Sequence, residues 1–265
     1  MAFPWQIWVL FAVAAAISAM GFHKFIWFIS LGYGFSIAGL GIALLILYGS
    51  GLTVGTALIC ALMIVYGMRL GGYLAIREIK SASYNTTMKN EVKDGSTMAM
   101  GAKIGIWVAC ILLYVMEVAP VFYRLQNGSG TDAITIIGFI IMVSGVVMES
   151  LADKQKSAAK KINPRRFCDQ GLFKLVRCPN YFGEVLFWTG MFLSGVTSLC
   201  SAGQWIMAIL GYLGIVYIMF SGARRLELRQ NKNYGSDPEY QPKLPLKRCA
   251  EFSHRLSFAR TNNQC

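Results

Sequence analysis

Apolar runs of about 20 residues, the length a helix needs to cross a hydrocarbon core, follow one another along the chain with short polar interruptions. Residues 3–22 form the first, with Gln6 its most polar member, and residues 25–48 form a second without any charge. Residues 52–76 carry one interior charge, Arg69, and residues 104–123 hold Glu117 and Pro120. A fifth run begins near Ala133, and its helical period continues past Glu149 into a basic segment. The sixth starts about Asn180 and ends near Cys200; the seventh covers roughly 203–221. No positive charge precedes the first run, so it reads as a span rather than a signal peptide. The pattern predicts an all-α integral membrane protein, a bundle of seven transmembrane helices.

Composition agrees with lipid burial. The chain is 55% hydrophobic and 14% charged, where a soluble domain carries about 25% charged residues. The net charge of +12 raises nucleic acid as a partner, and its placement argues against one. Runs 77–103, 152–177 and 221–265 hold 22 of the 25 Lys and Arg residues. That spacing matches the enrichment of Lys and Arg in cytoplasmic loops. Segments 49–51 and 198–203 carry no charge, and 124–132 carries only Arg124 and Asp132. Seven spans alternating between these loops put the N-terminus outside and the C-terminus in the cytosol, with a bacterial inner membrane the expected host rather than endoplasmic reticulum. The seven cysteines form no CxxC, and His23 and His254 complete no zinc site at a usual spacing. No metal is expected.

Ionisable groups inside a bilayer are costly, so each needs a reason to be there. Tyr66, Arg69 and Tyr73 fall at i, i+3, i+7 on one helix face. Two phenols and a guanidinium suit an anionic ligand reaching in from the cytosol. They equally suit an arginine snorkelling to the inner headgroups with interfacial tyrosines. Glu149 and Asp153, an i, i+4 pair, precede Lys154, Lys156, Lys160 and Lys161. They read either as a solvated helix end near anionic lipid or as carboxylates gripping a ligand with lysines on its phosphates. Pro179 suits a helix start, and Asn180 and Glu184 follow one turn apart on one face. An amide and a carboxylate there suit a carboxamide or hydroxyl better than lipid. Glu117 is expected to pair structurally with Arg124.

The run Gly171-Leu172-Phe173, then Arg177, Pro179, Asn180, Tyr181, Phe182, Gly183 and Glu184, resembles the C-terminal signature of the steroid 5-alpha-reductase superfamily. Bacterial members usually read GLW-x-x-SRHPNYFGE there. Three further blocks keep the superfamily's order: Arg69-Leu70-Gly71-Gly72; Ala152 to Lys156; and Glu227, Tyr234-Gly235, Tyr240 and Pro245. The resemblance covers roughly residues 60–246. It implies an NADPH-dependent reductase of activated C=C bonds with a seven-helix fold and a cytosol-facing cofactor. By similarity, Asn180 and Glu184 contact the nicotinamide end, while Asp153 and Glu149 face the pyrophosphate–ribose region. Arg166 matches a cofactor-binding arginine, and Lys160 replaces another. Arg69, Tyr73, Arg177, Tyr181 and Tyr234 complete the implied cofactor set. Tyr66 lies near the substrate carbonyl and, with Arg69, is the implied catalytic pair.

The departures are specific. Val176 and Cys178 stand where the signature has Ser and His. Eukaryotic steroid reductases polarise the ketone with a Gln-Glu pair in the second span, whereas residues 25–48 contain neither residue. Tyr33, Tyr48 and Tyr66 are the remaining phenols for proton donation. The implied organisation is a membrane domain over 1–221, with substrate-side helices in 1–125 and cofactor-side helices in 126–221. A basic segment, 222–265, would complete the cofactor site. The expected substrate is a lipophilic enone, steroid-like or another lipid, entering from the bilayer and its membrane lipids. Two other readings stand. One is an S-adenosylmethionine-dependent enzyme like the isoprenylcysteine carboxyl methyltransferases, which share the architecture and an RHPxYxG run. The other is an inactive lipid-binding relative. Asn180 with Glu184, and Asp153 to Lys156, favour the reductase.

Overall fold

The computed structural model describes residues 4–80 and 98–240. The rest of the basic run 77–103 and the part of the 222–265 segment after Tyr240 lie outside the described residues. Among the described residues there are seven α-helices and no strand. They are α1 (Trp5–Ser18), α2 (Leu31–Leu47), α3 (Val54–Lys80), α4 (Met100–Gln126), α5 (Ala133–Ile162), α6 (Pro179–Val196) and α7 (Ala202–Tyr234). The first two apolar runs each include a tightened turn, with 3₁₀ segments at Ala19–Phe22 and Phe25–Phe28 around His23 and Lys24.

Among the described residues, six segments are long and apolar enough to cross a membrane: Trp5–Phe22, Phe25–Leu47, Val54–Ile79, Met100–Gln126, Ala133–Ile162 and Ala202–Tyr234. The chain is therefore an integral multi-pass membrane protein. Helix α6 is not among the six, because Pro179, Asn180 and Glu184 occupy its first two turns. Helix α5 continues past Glu149 as its period predicts and stops before Pro164, whose ring disfavours helix in the residue ahead of it. Helix α7 runs well beyond the expected end near residue 221. Arg224, Arg225 and Glu227 end an apolar run, but they are good helix formers and do not end a helix.

The chain forms two compact units. One takes in the chain through Val146 together with Val185–Tyr217; the other takes in Val147–Glu184 and the chain from Ile218 on.

Small residues set the packing in the first unit, as expected where backbones approach closely without a hydrophobic drive between helices. A Cβ on Gly67 of α3 would sit 2.3 Å from the Gly34 carbonyl oxygen of α2, and one on Gly34 would sit 2.7 Å from the Gly71 nitrogen. Gly138 of α5 and Gly190 of α6 repeat the contact, each 2.6 Å or less from the other's carbonyl oxygen by the same measure. At the end of α4, Arg124 is 1% exposed. Its Nε donates to Ser194 O at 2.6 Å, and its Nη2 reaches Asp132 Oδ2 at 2.9 Å. Gly130 O and Thr197 Oγ1 take further donations. Arg124 thus pairs with Asp132 rather than with the expected Glu117, which lies about 10 Å away along the helix axis. Asp132 also caps α5, accepting the Thr135 N–H at 2.7 Å. Elsewhere in this unit Glu78 of α3 takes Lys24 in an ion pair and accepts the Trp27 indole N–H at 2.8 Å.

Candidate functional site

The second unit gathers most of the residues expected around a cofactor. Helix α5 supplies Glu149 and Asp153, which are 3% and 9% exposed and so form a buried acidic pair one turn apart. Further along α5, Lys160 spends all three ammonium hydrogens inside the protein. It donates to Pro164 O at 3.0 Å, Arg166 O at 2.7 Å and Tyr234 Oη at 2.9 Å. Arg166 is paired with Asp169 at 3.4 Å and Glu239 at 2.8 Å. Arg177 bonds Asn231 Oδ1 at 2.9 Å and Tyr240 Oη, and its Nε lies 3.6 Å from Glu227.

Three rings fill the space under these cations. Phe167, Tyr234 and Tyr240 stand mutually 5.1–5.9 Å apart, mostly edge-on. Lys160, Arg177 and Arg166 lie 5.3, 5.0 and 5.5 Å from the centres of Tyr234, Tyr240 and Phe167. Burial pushes the Tyr240 phenol above its ordinary pKa, although the Arg177 guanidinium pulls it down. Three of the cations expected on phosphates are therefore engaged in a ring-and-cation knot at the end of α7. Sequence spacing did not single out Phe167 or Asn231 as members of it, since neither carries a motif of its own.

The signature segment starts from a backbone constraint. Gly171 has φ +59°, and a Cβ there would lie 2.5 Å from the Gln155 side chain. Gln155 Oε1 accepts the Leu172 N–H at 2.9 Å, which holds the 3₁₀ turn Gly171–Lys174 against α5. Cys178 follows, and burial raises its thiol pKa against the lowering effect of Arg177 and Lys156. A thiol thus stands where the signature has histidine. Pro179 then opens α6. Glu184 is 8% exposed, and the Tyr181 ring lies against Gly222, where a Cβ would approach it to 2.7 Å. The Asn180 side-chain carbonyl oxygen is buried and accepts no hydrogen bond from the described residues.

The first unit holds the candidate proton donor. Tyr66 of α3 is fully buried, and Phe187 of α6 stacks on it at 3.9 Å and 12°. Its hydroxyl lies 3.1 Å from that of Tyr33 on α2, and Tyr33 Oη accepts the Trp188 indole N–H at 2.7 Å. Tyr73 meets Arg77, whose guanidinium is 5.7 Å from the ring centre. Arg69 is partly buried. Tyr48, the third candidate phenol, is bonded instead to Gln126 Oε1 at 2.6 Å. Trp188 is the residue that spacing alone missed; its i+4 separation from Glu184 was the available signal.

No curated protein and no solved structure matches this chain. One family does: that described as Protein of unknown function (DUF1295) matches residues 10–243. The match spans all seven helices except the start of α1, and the chain is a member of the DUF1295 family.

Proposed function

We propose that this protein is a membrane-embedded, NADPH-dependent reductase of the activated C=C bond of a lipophilic enone. The observation that carries the reading is the buried, unbonded carbonyl oxygen of Asn180. A buried acceptor left without a donor costs about 1–3 kcal/mol, and a carboxamide N–H of a nicotinamide supplies the donor it lacks. The resemblance of Gly171–Glu184 to the steroid 5-alpha-reductase signature points the same way, and the DUF1295 family is associated with proteins of that kind.

In this reading Asn180 and Glu184 hold the nicotinamide end, and Asp153 and Glu149 take the ribose. Lys160, Arg166 and Arg177 shape the phosphate side through the ring knot. Exposed cations such as Lys154, Lys161, Arg165 and Lys174 are the better-placed phosphate partners. NADPH held by these residues would supply the hydride equivalent for the enone β-carbon, and the C=C electron pair would then be taken up at the carbonyl oxygen. Tyr66 holds that oxygen and gives it a proton, regained from water, and the enol formed relaxes to the saturated ketone. Arg69 and Tyr73 line the approach. A seventh span through α6, with the N-terminus outside and the basic segments in the cytosol of a bacterial inner membrane, completes the proposal.

The test is ligand stabilisation of the detergent-solubilised protein. A ligand at 100 times its dissociation constant adds about 2.7 kcal/mol. NADPH is expected to raise the melting temperature, NADH less so, and S-adenosylmethionine not at all. Asn180→Ala is expected to remove the NADPH response. A response to S-adenosylmethionine alone would replace the reductase with a methyltransferase.

A further inference from the structure

The first unit contains a polar row that carries no formal charge. Trp188 donates its Nε1–H to Tyr33 Oη at 2.7 Å, and Tyr33 Oη lies 3.1 Å from Tyr66 Oη. Trp188, Tyr33 and Tyr66 are 2%, 6% and 0% exposed. An indole N–H is a donor only, so the first bond has one possible direction. The second has two, since either hydroxyl can donate. A hydrogen bond received on the Tyr33 oxygen polarises that group and strengthens the bond its own hydrogen makes. Donation from Trp188 therefore biases Tyr33 to donate toward Tyr66.

The rings fix the angles as well as the distances. Phe187 stacks on Tyr66, and Trp188 meets both Tyr66 and Phe187 edge-on at 6.0 and 5.1 Å. On the other side Tyr114 lies 5.4 Å from the Tyr33 ring, while its own hydroxyl bonds the Phe28 carbonyl. No residue from 25 to 48 is an amide or a carboxylate. Helix α2 presents the Tyr33 hydroxyl to Tyr66.

We propose that Trp188 and Tyr33 are positioning residues for Tyr66. They form a directed chain, Trp188 to Tyr33 to Tyr66, that aims the Tyr66 hydroxyl and stabilises its anion. The inference rests on the reductase reading and adds to it the means by which a tyrosine acts as an acid in an apolar setting. When the Tyr66 proton moves to the substrate oxygen, the phenolate left behind receives the Tyr33 O–H, and water restores the proton. Neither Tyr33 nor Trp188 gives up its own.

Two arms test this on the full chain in detergent. The first needs no turnover: tyrosines are labelled with ¹³C at Cζ, and Tyr33→Phe and Tyr66→Phe assign the two resonances. The Tyr66 signal is expected to move in both Tyr33→Phe and Trp188→Phe, each of which keeps a ring in place. The second arm follows NADPH consumption with cyclohex-2-enone and with a 3-oxo-Δ4 steroid. Tyr33→Phe and Trp188→Phe are expected to lower kcat about ten- to hundredfold with KM held within about twofold.

A Tyr66 resonance that stays put in both variants overturns the chain. A resonance that moves while kcat stays within about twofold of wild type overturns its role in catalysis. A wild-type protein that oxidises no NADPH with either enone removes the reductase reading, and the positioning role with it. In that case the first arm still reports whether the hydrogen bonds exist, so the two failures are told apart.

Discussion

Lys160 holds its ammonium 2.9 Å from the Tyr234 hydroxyl and 5.3 Å from the centre of the same ring, which ties α5 to the last turn of α7. Its remaining hydrogens go to the Pro164 and Arg166 carbonyls. A lysine so engaged contributes to stability before it contributes to phosphate binding. Lys160→Met is expected to cost about 1–2 kcal/mol of stability, the low end for charged hydrogen bonds because the site is partly wet. A cycle with Tyr234→Phe should show coupling of about 1 kcal/mol. The salt dependence of NADPH affinity should barely change in Lys160→Met; a loss of one full charge from that slope would put Lys160 on a phosphate.

Gly171 adopts φ +59° with the Gln155 amide where a Cβ would stand. Gly171→Ala faces both a strained backbone and a clash, and should lose about 2 kcal/mol. Adding Gln155→Ala removes the clash and leaves the strain, so the double variant should recover only part of the loss. Thermal denaturation of the three variants decides between them.

Asp132 carries a pH dependence at the other end of the chain's chemistry. Burial alone would raise its pKa, but donations from Thr197, Thr135 and Arg124 outweigh it and hold the carboxyl well below the usual range. A carboxyl lowered on folding stabilises the fold at pH above its unfolded value near 4. That contribution is lost as pH falls below it. Asp132→Asn should therefore be less stable than wild type at pH 7 by about 1 kcal/mol, discounted because the side chain is 41% exposed. The gap should close progressively below about pH 4. Melting temperatures in detergent across pH 3–7 would show it, and a constant gap would separate Asp132 from the ionic part of the cluster.

Cys200 is exposed, whereas Cys60 and Cys110 are buried. In the proposed orientation Cys200 lies on the outer side. A membrane-impermeant maleimide added to intact cells should label it, and Cys200→Ser should abolish that signal. Labelling only after permeabilisation would invert the topology.

The helices were legible because hydropathy and breakers act locally. The period of α5 carried past Glu149 since no proline interrupts it before Pro164. The length of α7 was not legible from hydropathy, because Arg224 and Arg225 stop a membrane span without stopping a helix. At the candidate site the sequence reveals charge but not its partner. Lys160, Arg166 and Arg177 look like free cations for phosphates until Tyr234, Glu239 and Tyr240 are brought beside them by the fold. Spacing along α3 placed Tyr66 with Arg69 and Tyr73 on one face, yet in the fold its hydroxyl meets that of Tyr33, 33 positions earlier. A period describes one helix, and only packing joins two.

The close approach of Gly34 and Gly67 bears on how this site can vary. Each glycine directly follows a tyrosine of the hydroxyl pair, Tyr33-Gly34 on α2 and Tyr66-Gly67 on α3. The backbones meet where a Cβ on Gly67 would lie 2.3 Å from the opposing carbonyl, so the gap between the hydroxyls is set by the main chains. Gly67→Ala would wedge the helices apart and widen that gap while leaving every polar atom of the row in the sequence. The two dipeptides behave as one inherited gauge, and a descendant that alters one glycine must re-space the phenols or lose their contact.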